Sequence, residues 1–267
     1  MPTANCNGVQ LHYTDTQNGQ DAIVFSHSYL VDHSHFNPQI DALKEQYRCI
    51  AFDHRGHGRS GKPASGYEME NLYQDAVSFI EEVKCAPCHF VGLSTGGFIG
   101  LRIGIRRPDL VKTLILMDTS ANAEPAEALG EYKLMLFVVR WLGFWPVARR
   151  LMPIFFGPKF LKDPHRRREV VQWQQMLASN DRPAVYKFGH GIFSRESVYD
   201  QIDTIQVPTL VIVGEYDVPT PVEKAKRIVE KIPSSSLEII PGAGHLCTVE
   251  EPSAVNSAIK RFLAKQM

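Results

Sequence analysis

An apolar run, Cys88-His89-Phe90-Val91, leads straight into Gly92-Leu93-Ser94-Thr95-Gly96, and a second apolar run, Phe98-Ile99-Gly100-Leu101-Arg102-Ile103, follows at once. Read in order, this is a strand, a sharp turn and a helix, the setting that gives a G-x-S-x-G sequence its meaning. A strand that turns directly into a helix must pack that helix back on its own sheet. The chain is thereby confined to layered α/β architectures. The close approach needs small neighbours, and Gly92, Gly96 and Gly97 provide them. The turn also pushes the Ser94 hydroxyl out at the carboxyl edge of the sheet, by the positive end of a helix. Ser94 is the candidate nucleophile.

The rest of the chain repeats the rhythm. Gly8–Tyr13 alternates like a half-open edge strand. Continuous apolar runs at 22–25 and 49–52 read as strands covered on both faces, and 90–91, 114–117, 210–213 and 237–240 continue the series. Helical patterns near 35–46, 69–84, 95–107, 221–231 and 251–264 lie between them. Strands alternating with helices predict a mainly parallel sheet wrapped on both sides, with its chemistry in the loops at the strands' carboxyl ends. From Ala121 to Tyr199 no strand pattern is found. That stretch, cut by Pro146, Pro153, Pro158, Pro164 and Pro183, predicts four short helices forming a cap. Leu134–Val139 and Trp141–Trp145 are too apolar for a plain surface helix, so they are expected to pack on the core and line an apolar pocket. Arg140 interrupts the run, and its length is short for a bilayer span. Arg166-Arg167-Arg168 reads as a solvated helix face.

Bulk charge narrows the partners. The 267 residues carry 29 basic and 29 acidic side chains, a balance that argues against a nucleic acid or an anionic surface as ligand. The first residues, Met1-Pro2-Thr3-Ala4-Asn5-Cys6, show no export signal, and five cysteines do not read as a disulfide framework. Cys85-Ala86-Pro87-Cys88 lacks the second pair a zinc site needs and the thioredoxin-like start of a redox site. A reduced, cytoplasmic setting with no cofactor and no metal is expected.

A serine hydroxyl needs a base, and the base needs a carboxylate to fix its tautomer. The strand ending Val211-Ile212-Val213-Gly214 runs into Glu215-Tyr216-Asp217, and the next runs into Gly242-Ala243-Gly244-His245. Both place their last residue beyond the sheet edge. The order Ser94, Asp217, His245 is that of the α/β-hydrolases.

On these residues the chain resembles the α/β-hydrolase superfamily over nearly its whole length, most closely around 22–61, 90–120 and 208–252. Within it the chain is similar to bacterial aryl and carboxyl esterases, cofactor-free perhydrolases and enol-lactone hydrolases. The resemblance implies an α/β-hydrolase fold: a mainly parallel eight-stranded sheet flanked by helices, with a helical cap inserted after the sixth strand. Residues 1–120 and 201–267 would form the core and 121–200 the cap. It implies Ser94 as nucleophile, His245 as general base and Asp217 as its orienting acid. Glu215 and Asp118 are the rival acids. Asp53, in Asp53-His54-Arg55-Gly56-His57-Gly58-Arg59-Ser60, matches a recurrent structural turn, and His27, His54 and His57 read as loop hydrogen-bonders. The oxyanion donors implied are the N–H groups of Thr95 and Tyr29, although Ser28 stands where the family usually has glycine. The implied substrate is a small ester, with lactone hydrolysis, perhydrolysis, thioester cleavage or C–C hydrolysis as alternatives on the same triad. A non-catalytic ligand-binding protein is the remaining alternative.

Overall fold

The computed structural model describes residues 2–266. The apolar runs become the strands β2 (Val9–Asp15), β3 (Ala22–Ser26), β4 (Arg48–Phe52), β5 (Cys88–Leu93), β6 (Val111–Met117), β7 (Thr209–Gly214) and β8 (Ser235–Ile240). An additional strand, β1 (Thr3–Cys6), precedes them. It closes on β2 through Asn7-Gly8, both at positive φ, the two-residue turn that suits the right-handed twist of a hairpin. That dipeptide was the available signal for β1, which the sequence reading did not include.

The eight strands lie in the order β1-β2-β4-β3-β5-β6-β7-β8. The β1–β2 and β2–β4 pairs are antiparallel and every other pair is parallel. In β3, β5 and β7 every residue is buried, which is why those segments read as continuous apolar runs rather than alternations. Helices α1 (Asn37–Leu43), α2 (Met69–Glu82) and α3 (Thr95–Arg106) connect the strands up to β6. The chain of helices between β6 and β7 holds α4 (Ala126–Leu142), α5 (Trp145–Phe155), α6 (Pro158–Lys162), α7 (Arg167–Ser179) and α8 (Arg182–Phe193). The remaining helices are α9 (Val222–Lys231), α10 (Cys247–Glu250) and α11 (Pro252–Leu263).

Five α-helices and a 3-10 turn at Pro164–Arg166 therefore occupy the stretch where four helices were expected. The prolines explain the difference. Pro146, Pro158, Pro164 and Pro183 each sit in the first turn of a new element, where a missing N–H is harmless, so they start helices more often than they break them. Leu136, Val139 and Phe144 pack inward as predicted, but Leu134, Phe137, Trp141, Leu142 and Trp145 are exposed. Arg166 is not a solvated side chain: it donates to the carbonyls of Val249 and Glu250 and lies over the Phe160 ring. Cys85 and Cys88 are buried thiols. Among the described residues no helix is long and apolar enough to cross a membrane.

Candidate active site

Ser94 joins β5 to α3 with φ 53° and ψ −105°, a conformation a non-glycine residue adopts only when its surroundings impose it. The imposing contacts are visible. Its N–H donates to Met117 O at 2.8 Å and its carbonyl accepts from the Thr119 hydroxyl at 2.8 Å. A Cβ at Gly96 would lie 2.0 Å from Ser26 O, and one at Gly92 would lie 2.2 Å from Gly96 O. Glycine at both positions is a packing requirement.

The carboxyl ends of β7 and β8 bring the other two predicted residues together. His245 Nδ1 lies 2.9 Å from Asp217 Oδ1, with both side chains buried. The ring nitrogen facing the carboxylate carries the proton, which leaves Nε2 as the acceptor face of the neutral imidazole. Asp217 is fixed in turn by Thr220, whose hydroxyl donates to Oδ2 at 2.6 Å and whose N–H donates to Oδ1 at 3.1 Å. Thr220 was not singled out from the sequence, yet an aspartate answered by an N–H three residues on is a recognisable capping pattern. Ser94 and His245 line one cavity of about 290 Å³, together with Ser28, Tyr29, Thr220 and a largely apolar wall from α4, α5 and α8.

The rival carboxylates go elsewhere. Glu215 accepts from the N–H of Gly242 at 2.9 Å and is exposed. Asp118, at positive φ after β6, accepts from the Gly214 N–H at 2.7 Å. Complete burial, reinforced by the charge of Asp217, holds its pKa well above the ordinary carboxylate range, which favours its acid form.

Behind the cavity the histidines tie loops. His27 Nδ1 donates to Ser28 O at 2.6 Å while its Nε2 accepts from the His54 N–H at 2.9 Å. His57 Nε2 accepts from the Leu30 N–H at 3.2 Å. Burial pushes His54 down to about 3 and His57 to about 4, and lowers His27 well below its usual value. Asp53 faces His12 Nδ1 at 3.1 Å and His33 Nδ1 at 2.7 Å and accepts from the His33 and Arg59 N–H groups. It is the hub of its turn, and Arg55 secures the same turn through a buried pair with Asp75.

Thr95 opens α3, so its N–H has no intrahelical partner. Tyr29 lines the cavity with its hydroxyl donated away to Val185 O at 2.7 Å. Ser28 is absent from the positive-φ residues, so a serine fits this position without strain. Its hydroxyl is buried and has no partner among the described residues. Two further cavity residues were missed in the sequence. Arg195 and Glu124 form a buried pair at 2.7 Å, with the guanidinium over the Phe98 ring.

The profile of the family described as "Alpha/beta hydrolase family" matches residues 23–258. The chain belongs to the alpha/beta hydrolase family. Among characterised members, this hydrolase is similar to 3-oxoadipate enol-lactonase 2 of Acinetobacter baylyi, at 28% identity over 98% of this chain and 96% of that one. Its structure is similar to that of a thermophilic esterase from Thermogutta terrifontis, with a TM-score of 0.90, 26% identity and coverage of 97% and 94%. The enol-lactonase from Burkholderia xenovorans LB400 is similar to the same degree, with a TM-score of 0.90, 25% identity and coverage of 98% and 100%.

Proposed function

We propose that this alpha/beta hydrolase is a serine hydrolase that transfers the acyl group of a small ester or lactone to water. The observation that carries this reading is that Ser94, on its strained turn, and His245, paired behind with Asp217, line one cavity. In the proposed cycle Ser94 Oγ attacks the carbonyl carbon as His245 Nε2 takes the hydroxyl proton. Asp217 stabilises the imidazolium and does not take up a proton itself. The carbonyl oxygen, now negative, faces the N–H groups of Thr95 and Tyr29, which are fixed before substrate arrives. His245 returns the proton to the leaving oxygen, an acyl-serine remains, and a water activated by His245 releases the acid. With a lactone the leaving oxygen stays attached, so one hydroxy acid is the only product.

The helices of 121–200 act in this reading as a cap on a core of 1–120 and 201–267. Phe155 supports it: its ring meets the His245 ring edge-on at 5.9 Å and its carbonyl accepts from the Leu246 N–H at 3.0 Å. The likeness to two enol-lactonases and an esterase supports esters and enol-lactones as the substrates to test first.

A fluorophosphonate probe tests the nucleophile. The parent protein is expected to be labelled and Ser94→Ala is not; an unlabelled parent removes the hydrolytic reading in favour of ligand binding. Comparing kcat/KM across p-nitrophenyl esters and a lactone panel then separates the substrate classes. Lactones ahead by about a hundredfold or more would make the protein a lactonase.

A further inference from the structure

Helix α4 has two contrasting faces. Tyr132 and Met135 line the cavity and Leu136 and Val139 are buried. On the opposite side Leu134, Phe137 and Trp141 succeed one another at spacings of three and four, with Lys133 and Arg140 each next to one of them, which sets the group along one stripe. Leu134, Phe137 and Trp141 are each more than half exposed. The stripe continues over the turn into α5 through Leu142 and through Trp145, which is 89% exposed. The Phe137 and Trp141 rings lie 6.4 Å apart, and the Arg140 guanidinium rests 4.6 Å from the Trp141 ring. Five large apolar side chains exposed within twelve residues form a patch that marks an interaction surface.

Charge identifies what such a surface fits. From 132 to 162 the sequence holds six lysines and arginines and not one aspartate or glutamate, in a chain whose total charge is zero. The nearest upstream acid, Glu131, lines the cavity and faces Arg150 at 3.4 Å. An apolar face with tryptophans at its tip and cations beside them is the composition of an element lying in a lipid–water interface. Indoles sit at the headgroup level, and the long basic side chains reach out to anionic headgroups. A contact between two copies would set this cationic stretch against its own equivalent.

We propose that the α4–α5 corner docks on an anionic lipid surface, with Trp141, Leu142 and Trp145 entering the headgroup boundary and Lys133 and Arg140 meeting the lipid phosphates. The same two helices supply Tyr132, Met135, Leu151 and Phe155 to the cavity wall, so docking brings that wall to the place where water-poor esters concentrate. The whole-chain charge balance had argued against such a surface; the local segregation of charge and apolar area overrides it. The proposal concerns binding and stands whether or not Ser94 is the nucleophile.

The test is co-sedimentation of the full chain with large vesicles of phosphatidylcholine alone, and with about one quarter phosphatidylglycerol. Binding to the anionic vesicles is expected to be at least about tenfold tighter, to weaken as salt is raised, and to shift tryptophan emission to the blue. The double variant Trp141→Glu, Trp145→Glu should lose that binding while keeping its thermal midpoint and its hydrolysis of a water-soluble short-chain ester. Lys133→Glu with Arg140→Glu should remove only the preference for anionic vesicles. Equal binding to both compositions, or binding to neither, overturns the proposal. So does a micromolar dimer that Trp145→Glu dissociates, because the occupant is then a second copy.

Discussion

Two aspartates stand at the carboxyl ends of neighbouring strands, and their surroundings fit them for different roles. Asp217 faces an imidazole N–H, a hydroxyl and a backbone N–H, which together fix it against His245. Asp118 is sealed off, and its burial with the charge of Asp217 beside it outweighs the Gly214 N–H and the Cys247 thiol and favours its acid form. Asp217→Asn should therefore lower kcat by about a thousandfold or more while the thermal midpoint moves by only a few degrees, since the amide presents an N–H where the imidazole needs an anion. Asp118→Asn should leave kcat within about threefold, because its amide oxygen still accepts from Gly214. Its effect on stability depends on pH. A carboxyl that keeps its proton when folded and loses it near pH 4 when unfolded drains stability as pH rises, and asparagine removes that drain. The variant should gain on the parent from pH 5 upward in urea denaturation. Loss of kcat in Asp118→Asn alone would move the acid role to the earlier strand.

At the scale of elements, Glu250 of α10 joins three parts of the molecule. Its Oε2 accepts from the Gly157 N–H between α5 and α6 at 2.7 Å, and its Oε1 accepts from the Gly244 N–H, next to His245, at 2.9 Å. Burial raises its pKa to about 7 against these two donors, which pull the other way. Between pH 4.5 and 7 the folded carboxyl holds a proton that the unfolded chain has released. Stability drains across that range by about 1.4 kcal/mol per pH unit, about 3 kcal/mol in all, and levels off above pH 7. Glu250→Gln abolishes the slope, so its deficit against the parent should shrink by about that amount between those limits. Glu250→Ala leaves two buried N–H groups without acceptors and should cost about 2–3 kcal/mol, with a fall in kcat as the His245 loop loosens. Nothing in the sequence pointed to this staple, because it joins positions 93 residues apart and uses a residue that reads as an ordinary helix acid. The elements it joins were legible. β3 and β5 to β7 announced themselves as unbroken apolar runs, and the Ser94 turn by its glycines. His245 and Asp217 were legible because strand ends in a parallel sheet share one edge. The outward face of α4 was not, since the apolar run gave no sign of which side met the core.

For the whole molecule, the loops beneath the cavity place His27, His35, His54 and His57 in complete burial, with His35 and His54 pushed down to about 3 and His57 to about 4. Each is neutral in the fold and becomes charged in the unfolded chain below about pH 6.5. The unfolded state then binds more protons, so every one of these histidines withdraws about 1.4 kcal/mol of stability per unit of falling pH. Glu250 acts in the opposite direction over pH 4.5 to 6.5, restoring a similar amount as pH falls, and the raised Asp118 acts in the same sense as Glu250. His33 is raised by its bond to Asp53 and is protonated in both states over that range. The buried imidazoles outnumber the raised carboxyls, so the balance is a loss of stability as pH falls below 6.5. The protein should accordingly lose stability steeply from pH 6.5 downward, ahead of the protonation of its exposed carboxylates. Urea midpoints taken at half-unit steps measure that slope. His35→Gln should reduce it by about one proton's worth, and a flat profile between pH 6.5 and 4.5 would mean that the buried imidazoles admit water and charge within the folded state.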